Sequence, residues 1–156
     1  MEEQAYSILP VSEFVFEFMS KGKKLLLKQV RFSKLKFSPK TYNLSLGTVS
    51  EDGSVNFLDN SNNGDVVKIF MTVISCVKLF TMEFPEREIY FQGNTEQKNR
   101  VYNEILRRHY DEFSLDFNIF GLSNMDGNNT VHEFDRSENY SGFYLRLKSK
   151  KNENSK

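Results

Sequence analysis

Apolar and polar residues alternate over the first third of the chain, which is the pattern of β-strands that bury one face. Phe14, Phe16 and Phe18 fall on one side of the first such segment. Turn-forming residues at Gly22 and Gly53 separate segments that can pair back on each other. The predicted strands cover residues 14–18, 25–32, 42–46 and 55–58. This part of the chain is therefore predicted to form an antiparallel meander.

The spacing of apolar residues changes to three and four after residue 64, which indicates helices. A first helix is predicted at 65–83, with Asp65 in the first turn, where a carboxylate suits the helix dipole. A short strand at 89–91 follows. Asn94 and Gln97 then have the spacing of a capping box at the start of a second helix. Three further strands are predicted at residues 115–119, 131–134 and 143–147.

The order of these elements predicts an α+β fold with one largely antiparallel, mixed sheet and two main helices. A length of 156 residues is sufficient for one domain with a sizeable core. We expect that domain to cover residues 14–148. An extended lead-in at 1–13 is expected before it, and a disordered tail at 149–156 after it.

Composition excludes several classes of protein. Hydrophobic residues make up 38% of the chain and include 15 phenylalanines, which is too apolar for a disordered chain. The formal net charge is zero, so no global attraction to nucleic acid or membranes is predicted. The longest apolar stretch is interrupted by Lys68 and Lys78, and the first residues lack the pattern of a secretion signal. We therefore expect a cytoplasmic protein without a membrane partner.

Basic residues are concentrated in residues 21–40, here called the basic segment. It contains eight lysines and arginines and no acidic residue, with Phe32 and Phe37 among them. Basic strands with exposed rings are typical of surfaces that hold single-stranded nucleic acid, and an acidic protein would also fit. The competing interpretation is an edge hairpin whose lysines prevent aggregation while both rings lie in the core. The candidate binding residues are Lys28, Arg31, Lys34 and Lys36.

Polar residues before each predicted helix form weaker candidate sites. Asn63 and Asp65 can contact a ligand or cation, although turn and cap roles explain them as well. Asn94 and Arg100 flank the start of the second helix, where an anion can bind. No cluster has the spacing of a metal site, and we expect neither metal nor cofactor.

Several short motifs together suggest a family. They are Tyr-Asn-Leu at 42–44, Asn-Gly-Asp at 63–65, Gly-Asn-Thr at 93–95, and Arg100 with Tyr102 in the following helix. The sequence resembles an uncharacterised bacterial family, a domain of unknown function found mainly in Bacteroidetes. The resemblance covers about residues 14–147 and implies no activity.

The order of elements is also similar to the fold of acetyl-CoA-dependent acetyltransferases. In that fold a glycine-rich loop binds the pyrophosphate, whereas the corresponding residues 61–65 contain one glycine and the carboxylate of Asp65. Three functions stay open. The first is a non-enzymatic binding module that uses the basic segment, and the second is a degenerate acetyltransferase-like enzyme. The third is a small toxin-type nuclease, which needs His109, His132, Arg100 and Tyr102 to meet in space.

Overall fold

A mixed β-sheet flanked by helices forms the computed structural model, which describes residues 5–58 and 62–149. The strands described there are β1 (Leu9–Ser12), β2 (Val15–Lys21), β3 (Leu25–Leu35), β4 (Ser38–Val49), β5 (Val55–Asn56), β6 (Glu88–Phe91), β7 (Phe117–Met125), β8 (Asn128–Glu133) and β9 (Gly142–Leu147). The helices are α1 (Val66–Glu83), α2 (Glu96–Arg108) and the single turn α3 (Tyr110–Phe113).

The strands are ordered β1-β2-β3-β4-β6-β9-β7-β8, and β5 pairs with β4. Neighbouring strands are antiparallel except β4 and β6, which are parallel and are connected through α1. This arrangement confirms the predicted α+β class with a largely antiparallel, mixed sheet and two main helices.

The helices pack on one face of the sheet. Phe80 of α1 stacks on Phe32 of β3 with ring centroids 4.1 Å apart. Tyr102 of α2 contacts Phe91 of β6, and Phe113 of α3 contacts Phe70 of α1. Because side chains alternate along a strand, the residues between these core positions point to the opposite side of the sheet. We call that side the open face, since these helix contacts all lie on the other side.

Helix α1 supplies much of the core, as its apolar stripe predicts. Its buried side chains recur at helical spacing and include Phe70, Val73, Val77 and Phe80. It is nevertheless not apolar enough for a bilayer: among the described helices, none combines the length and hydropathy needed to cross one.

We expect the only cysteine, Cys76, to react with a thiol reagent only after unfolding. Its side chain is fully buried in α1, and burial raises the pKa of the thiol to about 12, so almost no thiolate forms at neutral pH. The measurement compares labelling rates in buffer and in denaturing guanidinium chloride. Rapid labelling of the folded protein would contradict the burial of this residue.

Three sequence-based expectations need correction. Strand β3 lies between β2 and β4, so the basic segment is not an edge hairpin. Thr95, rather than Asn94, caps α2, and its hydroxyl accepts a hydrogen bond from the Lys98 amide at 3.0 Å. Leu115 is exposed in the loop before β7 instead of beginning that strand.

The predicted lead-in takes part in the sheet. Residues 9–12 are extended as expected, and they form β1 at one edge. Tyr6 packs on Phe18 of β2, with ring centroids 5.8 Å apart. Residues 1–4 of the lead-in and 150–156 of the predicted tail lie outside the described residues.

Candidate functional site

The basic segment divides into separate groups in space. Lys21, Lys23 and Lys24, here called the first-turn lysines, lie at the β2–β3 turn. Lys34, Lys36 and Lys40, the second-turn lysines, lie around the β3–β4 turn. Strand β3 separates the two groups by about 30 Å, at ~3.3 Å per residue. A single short ligand therefore cannot contact both groups.

Lys28 does not belong to either exposed group. Its residue is only 4% exposed, and its ammonium donates a hydrogen bond to the Thr48 hydroxyl at 2.6 Å. A lysine can be buried in this way because its long apolar stem packs while the charged end finds a polar partner. Phe32, the first ring of the basic segment, is also buried and belongs to the core.

Arg31 is the basic residue of β3 that reaches the open face. Its guanidinium donates to the side-chain oxygen of Gln29 at 2.7 Å and lies 5.2 Å from the centre of the Phe57 ring. The Phe57 ring fits there because Gly47 has no side chain: a Cβ on Gly47 would lie 2.9 Å from the ring. The Asn94 amide donates to the Phe57 carbonyl at 3.4 Å. The structure thus brings Arg31 and Asn94, two separately predicted residues, to the same loop.

Three half-buried rings form a row across the open face. Tyr90 of β6 pairs with Tyr144 of β9, and Tyr144 pairs with Phe120 of β7, so the rings lie side by side on adjacent strands. The centroids of Tyr90 and Tyr144 are 4.8 Å apart. The guanidinium of Arg146 lies 4.6 Å from the centre of the Phe120 ring. We call Tyr90, Tyr144 and Phe120 the aromatic row; sequence reasoning did not find it.

Neighbouring residues hold the aromatic row in place. The Tyr90 hydroxyl donates to the Gln92 side chain and lies over Gly142, where a Cβ would come within 2.3 Å of that oxygen. Arg146 is paired with the Glu88 carboxylate, which also accepts a hydrogen bond from Thr41 at 2.9 Å. The rings are therefore supported by their own strands.

Both tyrosines of the aromatic row stay uncharged at neutral pH. Burial raises the pKa of Tyr90, and the adjacent Tyr144 raises it further. Burial also raises the pKa of Tyr144, with an added contribution from the Glu88 carboxylate. The phenols can therefore offer rings and hydroxyl donors without a negative charge that would repel phosphate.

Asn63 has a structural role, because its side-chain polar atoms are already hydrogen-bonded within the protein. It is buried, its amide donates to the Ser20 hydroxyl and the Lys24 carbonyl, and its side-chain oxygen accepts from the Lys24 amide at 2.8 Å. Its backbone carbonyl accepts from the Lys23 amide at 2.8 Å, against Gly22. Asn63 thus fastens the β2–β3 turn to the start of α1.

Asp65 occupies the N-cap position of α1 without capping it through its side chain. One carboxylate oxygen accepts hydrogen bonds from the hydroxyls of Tyr6 at 2.5 Å and Ser20 at 2.6 Å. The other oxygen is buried without a partner among the described residues. The carboxylate thus ties the N-terminal segment and β2 to the helix.

Replacement of Asn63 by alanine should destabilise the fold by about 2 kcal/mol, since several polar groups of the turn would lose their partner. Chemical denaturation measures this loss. Asn94→Ala is the matched control, because Asn94 is exposed and makes one long hydrogen bond, and its effect should stay within ~0.5 kcal/mol. Equal effects of the two substitutions would contradict the structural role of Asn63.

The remaining candidates do not assemble into a catalytic group. Arg100 is exposed on α2, and the Tyr102 ring packs between Phe70 and Phe91. His109 lies near the Glu112 carboxylate, while His132 on β8 contacts the Thr130 hydroxyl. No contact between described residues joins the two histidines, and no group of three potential metal ligands forms in this part of the chain.

Comparison with known families identifies the chain. A family model described as "Family of unknown function (DUF6934)" matches residues 2–148. The chain belongs to this family. No curated protein and no solved structure matches the chain. The family match begins near the N-terminus and includes β1, which agrees with the integration of that strand into the sheet.

The motifs that suggested a family have structural roles in this DUF6934 chain. Tyr42 is buried in the core against Phe80, and Asn63 closes a turn. Gly93 makes room for α2, because a Cβ there would lie 2.5 Å from the Asn99 amide nitrogen. These residues of the motifs therefore have roles in the fold.

Proposed function

We propose that this protein is a non-enzymatic binding module that holds a short single-stranded nucleic acid on the open face of its sheet. The aromatic row carries the proposal, since it places three half-exposed rings on adjacent strands of the face on which none of the described helices packs. Unpaired bases stack on such rings, and each stacking contact contributes ~1–3 kcal/mol. Strands about 4.8 Å apart place Tyr90 and Phe120 ~10 Å from each other, which suits two or three bases.

Polar side chains beside the aromatic row suit the edges of bases. Asn43 lies next to Tyr90 in the parallel pair of β4 and β6. Asn118 and Gln92 are exposed on the same face. Amide side chains offer both donors and acceptors, which is the chemistry needed to contact bases whose pairing edges are free.

Positive charge lies near the Tyr90 end of the aromatic row. Asn43 pairs with Ser33 of β3, which leads directly to the second-turn lysines. Lys36 approaches the ring of Phe37, which is 91% exposed, so the turn offers a further ring for stacking. Lys36 is exposed in the turn beyond β3. Lys34 is also exposed, but it pairs with Tyr42 and points to the helical side of the sheet. Phosphates of a strand crossing the aromatic row can therefore meet Arg31 and Lys36.

Fluorescence anisotropy with a labelled single-stranded oligonucleotide at low salt tests this function. The logarithm of affinity should fall with the logarithm of salt concentration, with a slope of about −0.7 per contacted phosphate. Arg31→Glu should weaken binding several-fold, because Arg31 is the basic residue of β3 that reaches the open face. Arg100→Glu is the control, an exposed cation on the helical side of the protein. Absence of salt-dependent binding, or equal losses in both variants, would contradict the proposal.

The other functions expected from the sequence stay predictions. We propose a cytoplasmic location and a bacterial origin together with the binding-module function. An acetyltransferase-like reaction would need a phosphate site at the start of α1, and there the Asp65 carboxylate is hydrogen-bonded to Tyr6 and Ser20. No described contact favours the nuclease.

A further inference from the structure

A second corner of the open face, where β1, β2 and β3 meet, is apolar and exposed. Leu9 and Leu25 are each 63% exposed, and Met19 is 39% exposed. A cleft of about 340 Å³ lies between the N-terminal segment and β2. Its lining residues are Tyr6, Ser7, Ile8, Leu9, Glu17, Phe18, Met19, Lys21 and Leu27. One apolar side chain of a ligand fits such a space.

The edge of β2 is incompletely covered inside this cleft. Within residues 5–58 and 62–149, the pairing of β1 with β2 extends only as far as Glu17. The Lys21 amide points away from β3, because it donates to the Tyr6 hydroxyl at 3.0 Å. Met19 lies midway between these residues, and the alternation of an antiparallel pair turns its N–H and C=O to the same outer edge. An extended peptide can therefore form strand-like hydrogen bonds with Met19.

The charge around the cleft is positive. Lys21 lines the cleft, is exposed and forms no ion pair with a described residue. Lys23 and Lys24 are exposed at the adjacent turn but do not line the cleft, and the Lys23 stem lies near Gly64 at the start of α1. The acidic residue in the lining is Glu17, whose carboxylate accepts a hydrogen bond from Gln29 at 2.9 Å. Charge complementarity therefore favours an acidic ligand at this corner.

We propose that this corner docks an extended, acidic segment of a partner protein. An apolar side chain of that segment enters the cleft, its backbone pairs with Met19, and its carboxylates face Lys21. The site is separate from the aromatic row. Leu27 lines the cleft, Ser33 is level with the Tyr90 end of the aromatic row, and these two residues of β3 are ~20 Å apart. Both sites can therefore be occupied in the same molecule.

The test uses a fluorescein-labelled peptide of alternating glutamate and leucine, titrated with the 156-residue protein and followed by anisotropy. We expect saturable binding, and no binding of matched peptides in which lysine replaces glutamate or serine replaces leucine. Lys21→Glu, which reverses the charge of the lysine in the lining, should weaken binding about ten-fold through charge repulsion. Leu25→Ser should weaken it several-fold, and circular dichroism should show that both variants remain folded.

Tyr144→Ala is the control that separates the two sites. It should leave peptide affinity unchanged, and a single-stranded oligonucleotide should not displace the peptide. Equal binding of the lysine-containing peptide, or affinity unchanged in the Lys21 and Leu25 variants, would overturn the proposal. Displacement by the oligonucleotide, or tighter binding to vesicles of anionic lipid than to the peptide, would overturn it too, since the corner would then serve another class of ligand.

Discussion

Replacement of Tyr144 by alanine should weaken binding of a single-stranded oligonucleotide about ten- to a hundred-fold, since one base–ring stacking contact contributes ~1–3 kcal/mol. Tyr144 is the middle ring of the aromatic row, and it contacts Tyr90 directly. Its loss should therefore affect more than one base. Anisotropy titrations at fixed low salt measure the change, with thermal unfolding as a check on folding.

Two further variants make this result specific. Tyr144→Phe keeps the ring and should bind nearly as well as the parent protein. Tyr110→Ala removes a half-buried tyrosine that stacks on Phe134 beside α3, away from the aromatic row, and should leave affinity unchanged. If the Tyr144→Ala variant bound the oligonucleotide normally while the Tyr110→Ala variant did not, the ligand surface would lie on the other side of the sheet.

Replacement of Val77 by aspartate should prevent the protein from folding. Val77 is fully buried in the middle of α1, so an unpaired carboxylate would lie in the core. The cost of several kcal/mol approaches the whole stability of an ordinary domain, which is about 5–15 kcal/mol. Solubility and the circular dichroism spectrum measure the outcome.

Met82→Asp is the matched control on the same helix. Met82 is exposed, so this variant should fold. Its free energy of unfolding should lie within ~1 kcal/mol of that of the parent protein. A Val77→Asp variant with an unchanged melting curve would show that α1 does not present this face to the sheet.

The helices and the strand-rich first third could be predicted because their signals are local. The spacing of Val73, Val77 and Phe80 reports a helix that buries one face, and the structure confirms it. Alternation in β2 likewise places Phe16 and Phe18 in the core. Such patterns need only the neighbouring residues.

The order of the strands could not be predicted, because pairing joins distant parts of the chain. The edge hairpin was one of two interpretations of the basic segment, and it is wrong because β4 and β2 enclose β3. The same ordering brings together Tyr90, Phe120 and Tyr144, which are far apart in sequence. The sequence shows that these residues alternate with core residues. Whether their rings lie side by side on the sheet depends on the register of three strands.

The roles of the polar candidates beside α1 could be predicted only in part. Asn63 and Asp65 were predicted as turn or cap residues beside a helix, and they do lie there. Their hydrogen bonds instead reach Ser20, more than forty residues earlier in the chain. Short polar side chains can satisfy either local or distant partners, and sequence alone does not distinguish the two.

Ultraviolet crosslinking to a bromouridine-containing single strand, followed by mass spectrometry of the digested protein, tests the central claim most directly. The account predicts crosslinked peptides that contain Tyr90, Tyr144 or Phe120, with additional sites near Phe37. These crosslinks should disappear at high salt, where phosphate contacts weaken. Crosslinks confined to α2, or to the first-turn lysines at the far end of β3, would contradict a nucleic-acid site on the aromatic row.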